Sequence, residues 1–216
     1  GPSFDSLNFN QRMNTLGGGL SYLSYQRDTG DFNFNAEVAM RNTKDISNNS
    51  ETHFDMLAHG RMLKDSTLYQ ADVGVNYNTF DFFGPQLNGN DFNYFTSASD
   101  SVFTNRSSEN AIIKIVPSAS TTWKGLRAKV GAGIYFDVRG EQKGHFYPQA
   151  EVSYSILRGT IVPFAGITGN MEPTTYLSLY RQNPFIQNFP KLNNLNNKLD
   201  AYAGIGGAIS LSLSYK

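Results

Sequence analysis

Residues 126–138 read Leu126-Arg127-Ala128-Lys129-Val130-Gly131-Ala132-Gly133-Ile134-Tyr135-Phe136-Asp137-Val138, and this stretch decides the fold. Leu126, Ala128, Val130, Ala132, Ile134, Phe136 and Val138 fall on one side of an extended chain. Arg127, Lys129, Gly131, Gly133, Tyr135, Asp137 and Arg139 fall on the other. Side chains of a strand alternate between its faces, so this is one strand with a wholly apolar side and a mostly charged or small side.

The pattern recurs outward in both directions. Phe32, Phe34, Ala36, Val38 and Met40 oppose Asn33, Asn35, Glu37 and Arg41. Ala150, Val152, Tyr154 and Ile156 oppose Gln149, Glu151, Ser153 and Ser155. Ala201, Ala203, Ile205, Ile209, Leu211 and Leu213 oppose Asp200, Ser210, Ser212 and Ser214. Further strands are readable near 16–26, 52–64, 67–83, 110–124 and 160–170, and helical periodicity is nearly absent. The sum is about nine strands, most of about 11 residues or more, where ordinary globular strands run about five or six. A tilted strand that crosses a bilayer needs roughly 9–11 residues.

Connections alternate between short and long. Arg27-Asp28-Thr29-Gly30, Lys64-Asp65-Ser66, Lys124-Gly125 and Leu157-Arg158-Gly159 are tight turns. Between them lie links at 42–51, 84–109, 140–144 and 171–198. Outer-membrane barrels sort short periplasmic turns from longer extracellular loops in this way. On that reading the chain starts outside and ends, at Lys216, on the periplasmic side. Bacterial barrels usually have an even strand count, so ends on opposite sides predict either a short strand hidden in 3–13 or, the favoured reading, part of a larger barrel. Lys216 is also not the terminal aromatic that assembly signals of such barrels commonly carry.

Composition agrees. Of 216 residues 39% are hydrophobic and 13% aromatic, and the net charge is zero. A zero balance gives no electrostatic case for nucleic acid. The absence of cysteine excludes disulfides, thiolate catalysis and cysteine metal sites. No apolar run of about 18 residues exists, so no transmembrane helix is expected. Gly1-Pro2 reads as a cloning scar, and 3–216 as a single β-barrel domain. Tyr22, Tyr25, Phe80, Phe82, Phe83, Trp123, Phe136, Phe146 and Tyr147 cluster near strand ends, where amphipathic rings form girdles at a membrane interface.

Residues 161–186, Ile-Val-Pro-Phe-Ala-Gly-Ile-Thr-Gly-Asn-Met-Glu-Pro-Thr-Thr-Tyr-Leu-Ser-Leu-Tyr-Arg-Gln-Asn-Pro-Phe-Ile, carry a resemblance. They resemble a segment of Bacteroidota outer-membrane β-barrels of the TonB-dependent-receptor-like type. In that pattern a strand leads into an ordered extracellular loop with Tyr180, Arg181, Asn183, Pro184 and Phe185 as its core. The tract 192–199 then returns to a strand that includes Tyr202 to Gly207. The resemblance implies an outer-membrane location and solute uptake. No TonB box and no plug-domain sequence is visible in these residues, a departure from the family pattern, so energised transport is not implied for this chain.

Other motifs have blander readings. Gly204-Ile205-Gly206-Gly207 lacks the helix that a dinucleotide loop needs, and reads as close packing or a strand bend. His53, Asp55 and His59 share a strand face, but the two histidines stand nearly 20 Å apart and cannot share one ion. No Gly-x-Ser-x-Gly elbow appears, so a hydrolase is a low-ranking alternative. Asp28-Thr29-Gly30-Asp31 is a hairpin turn before it is a calcium loop.

The expected fold is an all-β, antiparallel up-and-down transmembrane β-barrel with about nine or ten strands visible. Asp72, Arg127, Lys129, Asp137, Arg139 and Glu151 are the candidate lumen-lining residues, with their charges pairing across strands. Tyr180, Arg181, Asn183 and Phe185 are the candidate extracellular contacts. Expected partners are the outer-membrane bilayer, a small solute and a protein partner in an envelope complex. Catalytic residues, cofactors and metals are expected to be none. The expected function is passage or binding of a small solute at the cell surface. The alternatives are a non-transporting barrel subunit of a larger assembly and, further down, a soluble β-sandwich or lipocalin-like binder.

Overall fold

Each stretch of period-two alternation becomes a strand, and each strand pairs with the one that follows it. In the computed structural model the described residues are 12–24, 30–46, 48–85, 103–138, 144–156, 160–183, 193–210 and 213–215. The strands are β1 (Met13–Ser24), β2 (Asn33–Asp45), β3 (Ser50–Lys64), β4 (Thr67–Pro85), β5 (Phe103–Trp123), β6 (Leu126–Asp137), β7 (Gly144–Tyr154), β8 (Val162–Glu172), β9 (Leu195–Ser210) and β10 (Leu213–Tyr215). One helix, α1 (Tyr176–Gln182), lies between β8 and β9. All strand pairs are antiparallel and the spatial order is the chain order, an up-and-down sheet. No pairing joins β1 to β9 or β10, so the sheet is not closed among the described residues. The fold is all-β and barrel-like, as the alternation predicts.

The turns obey local stereochemistry. Lys124 (φ 47°) and Gly125 (φ 84°) both occupy the left-handed region that a two-residue type I′ hairpin requires. Asp65, at φ 56°, does the same in the turn from β3 to β4. Arg27 to Thr29 and the 157–159 turn lie outside the described residues.

Two expected long links are shorter than the composition suggests. The 42–51 link shrinks because β2 runs to Asp45 and β3 starts at Ser50, in register from Lys44↔Ser50 to Asn33↔Arg61. The 84–109 link shrinks because β5 starts at Phe103 and pairs with Pro85 at the end of β4. Turn-forming Asn and Ser are drawn into strands there because an existing ladder satisfies their backbone groups. β9 likewise starts at Leu195, earlier than the clean alternation from Ala201.

Register puts directly opposed residues on one face, so the two faces can be followed across the sheet. One face carries Leu20, Val38, Met56, Val73, Ile115, Ile134, Phe146, Val152, Ile167 and Ile205, all exposed. The other face carries the buried strand residues, and among the described residues seven of these are polar or charged (Asn33, Thr43, Glu51, Asn78, Asn110, Ser120, Asp137) against five apolar. That is the reverse of a water-soluble domain, in which burial favours apolar side chains. The small apolar cluster of Ile112, Tyr135, Tyr147 and Met171, joined by Val116, also sits on the polar face. Phe80 (0% exposed) and Tyr147 (2%) are therefore interior residues, which corrects their reading as girdle rings. Tyr22, Trp123, Phe136 and Phe146 are exposed as a girdle would have them. Tyr25 and the Phe83 side chain lie outside the described residues.

Candidate functional site: a polar face capped at one end

The polar face is a stack of register rows, and its chemistry changes from one end to the other. At the end bearing the β2–β3 turn, the β8–β9 excursion folds back across the sheet. Residues 176–182 form only two turns of helix, too short to be stable alone. Local capping starts it: the Thr175 hydroxyl accepts from the Ser178 amide (3.1 Å), and the Ser178 hydroxyl accepts from the Thr175 amide (3.2 Å). Asn183 ends it, donating its amide to the Leu179 carbonyl at 2.9 Å.

Long-range contacts hold it in place. The Tyr176 and Leu177 amides donate to the Glu51 carboxylate at 2.6 and 3.0 Å. A carboxylate at a helix start meets free N–H groups and the positive end of the helix dipole. The Asn78 amide donates to the same carboxylate at 2.9 Å, so a residue only 1% exposed keeps a fully bonded charge. The Tyr176 ring stacks on Phe80 with centroids 4.6 Å apart, and its hydroxyl donates to Asp45 at 2.9 Å. Burial, and then the bond to Asp45, push the Tyr176 phenol well above its ordinary pKa. Asp45 is itself held by Asn49, whose backbone and side-chain nitrogens donate to it at 2.8 and 2.7 Å.

The return of the excursion is pinned as well. Asn194 donates to Asp137 at 2.9 Å and exchanges amide hydrogen bonds with Asn110. The Tyr147 hydroxyl donates to Asn196 at 2.8 Å. One row below Glu51, Arg41, His53 and Asn78 oppose one another in register. Arg41 Nε, His53 Nδ1 and Asn78 Oδ1 are buried there without a hydrogen-bond partner.

Toward the other end the face opens. His59 Nδ1 bonds to Asp72, and the Asn76 amide donates to Asp55. The Tyr202 hydroxyl reaches across β8 from β9 to donate to Glu151 on β7 at 2.8 Å. Gly166 makes that crossing feasible: a Cβ there would lie 2.6 Å from the Tyr202 hydroxyl and 2.8 Å from the Ala150 carbonyl oxygen. The interior carboxylates are thus engaged mainly by amides, phenols and an imidazole. Lys129 faces Glu151 in register without an ion pair, so of the expected charge pairing across strands the described residues show only His59 with Asp72.

The alternation placed the candidate residues on one face. Asp72, Arg127, Lys129, Asp137 and Glu151 all occupy the polar face, though Asp137 is buried under Asn194 while Arg127 is exposed. Arg139 lies outside the described residues. Tyr180 and Arg181 belong to α1, and Asn183 is its C-cap. Arg181 and Asn183 are exposed; Phe185 lies outside the described residues. The sequence reading missed α1 and the residues that seat it, Asp45, Glu51, Phe80 and Tyr176. The Thr175–Ser178 spacing before an apolar pair was a usable signal for the helix start. Nothing local marks Glu51 as its receptor, because the two are 125 residues apart.

Among the described residues no group of three or more metal-binding side chains is found, and no helix is long and apolar enough to cross a membrane. A shallow groove of about 590 Å³ crosses the apolar face over Gly60, Ala71, Pro117 and Ala132. Arg61 also borders it, but its lining is otherwise uncharged, and strand alternation sets the remaining charged side chains on the polar face. No protein-family model matches the chain, and no curated protein matches it.

Proposed function

We propose that this chain forms the wall of an outer-membrane β-barrel that passes or binds a small polar solute along its polar face. One observation carries this reading: the sheet exposes its apolar face and buries polar side chains on the other. Large exposed apolar surfaces on soluble monomers are uncommon, whereas a barrel wall must present one to hydrocarbon. The up-and-down topology and the length of β1–β9 support it. The tract Tyr180-Arg181-Gln182-Asn183-Pro184-Phe185 supports a relation to Bacteroidota TonB-dependent-receptor-like barrels, with Arg181 exposed on α1 and Tyr180 half-buried beside Tyr176.

The seating of α1 over one end of the face favours a second reading, a non-transporting barrel subunit of a larger envelope assembly. Planar-bilayer recording separates the two. Single-channel steps are the expected result for passage, and insertion without conductance is expected for a closed subunit. A protein that stays monodisperse in plain buffer, with its apolar face packed dry, would sink both.

A further inference from the structure

Among the described residues, three cations of the open end of the polar face are unmatched. Arg61, Lys129 and Arg127 form no ion pair or hydrogen bond with any described residue. The carboxylates near them in register are taken: Asp72 by His59 and Glu151 by Tyr202. The other positions of the register row that holds Arg61 are neutral. Asn33, Arg61, Gln70 and Ser118 form one register row, continued by Gly131 and Gln149.

Arg61 lines a hollow of about 390 Å³ together with Leu23, Asn33, Asn35 and His59. That volume lies within the usual range of a small-molecule site. The donor set there is asymmetric. Arg61 offers a planar fork suited to a carboxylate or phosphate, and Asn35 offers an amide. The contact of His59 Nδ1 with the Asp72 carboxylate fixes the ring and leaves Nε2 as the nitrogen open to a ligand hydroxyl. No carboxylate side chain lines this hollow to repel an anion.

We infer that the Arg61 hollow is a binding site for a small hydroxyl-bearing oxyanion, a hydrogen phosphate or a hydroxy-carboxylate. Arg61 holds the anionic oxygens, and His59 positions the hydroxyl. Lys129 and Arg127 form a second cationic stretch on the same face; Lys129 borders a smaller hollow of about 110 Å³ with Gln149, Glu151, Thr168 and Tyr202. The inference rests on reading the polar face as the solute-facing side, and it gives the solute a charge.

The test uses inorganic phosphate and lactate as probes, with equilibrium dialysis of the whole detergent-solubilised chain and reversal potentials across planar bilayers. Saturable binding is expected, weakened at least about tenfold in Arg61→Gln, in line with loss of a charge-assisted bidentate contact. Arg61→Lys should retain part of it, and Lys44→Gln should leave it unchanged. Binding that depends on Arg61 without any conductance would leave the site standing and overturn passage. Conductance with no binding of either probe, or with binding indifferent to Arg61→Gln, would overturn the site and leave passage standing. A cation-preferring reversal potential would also overturn it.

Discussion

The capped and the open ends of the polar face are built from the same residue types and use them differently. Under α1, both carboxylates have partners, although Arg41 Nε one row below has none among the described residues: Glu51 takes three nitrogen donors, and Asp45 takes a phenol and two nitrogens of Asn49. At the open end Arg61, Lys129 and Arg127 stand in the same strand alternation with no described partner. Buried charge is tolerated only when it is fully bonded, so the capped end is constrained by folding. Arg61 and Arg127 are exposed and Lys129 half-buried, so solvent relaxes that demand and leaves them available to a solute. The comparison separates the part of the face that holds the molecule together from the part available for binding.

The contrast is broken most severely at Glu51. Glu51→Ala would leave the Tyr176 and Leu177 amides and the Asn78 side chain without their acceptor, at about 1–3 kcal/mol for each buried group. The expected outcome is loss of hydrogen-exchange protection at Tyr176 and Leu177, with β6 and β7 protection retained. Unchanged protection would show that α1 is seated by its rings alone. Gly166→Ala should cost about 1–3 kcal/mol by overpacking, read as a lowered denaturation midpoint. It should also displace Tyr202 from Glu151, visible as a change in the tyrosine ring resonances.

Smaller effects sharpen the comparison. Thr175→Ala removes the N-cap and should cost about 1 kcal/mol, at α1 and nowhere at the open end. The Tyr176 phenol titrates above its unfolded value, so the stability it contributes is complete below about pH 10 and is lost as pH rises through the folded value. Alkaline release of α1 should therefore begin above about pH 10 in the native chain, and Tyr176→Phe should abolish that pH dependence. His53→Phe is expected to be neutral or stabilising by about 1 kcal/mol, because it removes an orphaned buried nitrogen without breaking a bond. A large loss of stability there would mean that His53 has a partner in the working protein.

Much of the wall was legible in advance. Leu126 to Val138, Phe32 to Arg41 and Ala150 to Ile156 showed their faces by alternation alone, and the candidate residues Asp72, Lys129 and Glu151 landed on the polar face as a consequence. The hairpin at Lys124-Gly125 was legible for the same local reason. The reach of β5 down to Phe103, and of β2 to Asp45, was not: Asn, Ser and Asp there carry turn preferences that a neighbouring ladder overrides. The partner choices of the carboxylates were equally hidden. Charges on this face were expected to pair across strands, and Lys129 opposes Glu151 in register, yet Tyr202, approaching over Gly166, takes the carboxylate instead.

The amino-acid sequence by itself determined which side chains share a face, because alternation in a strand is a property of the backbone and needs no partner. It also determined that one face would be apolar throughout. Only the tertiary structure decided that α1 lies across that polar face, that Glu51 receives it, and that Arg61 is left unmatched in a hollow. Those are meetings between residues far apart in the chain, set by sheet register and by competition among donors for each carboxylate, and no local pattern encodes the outcome of that competition.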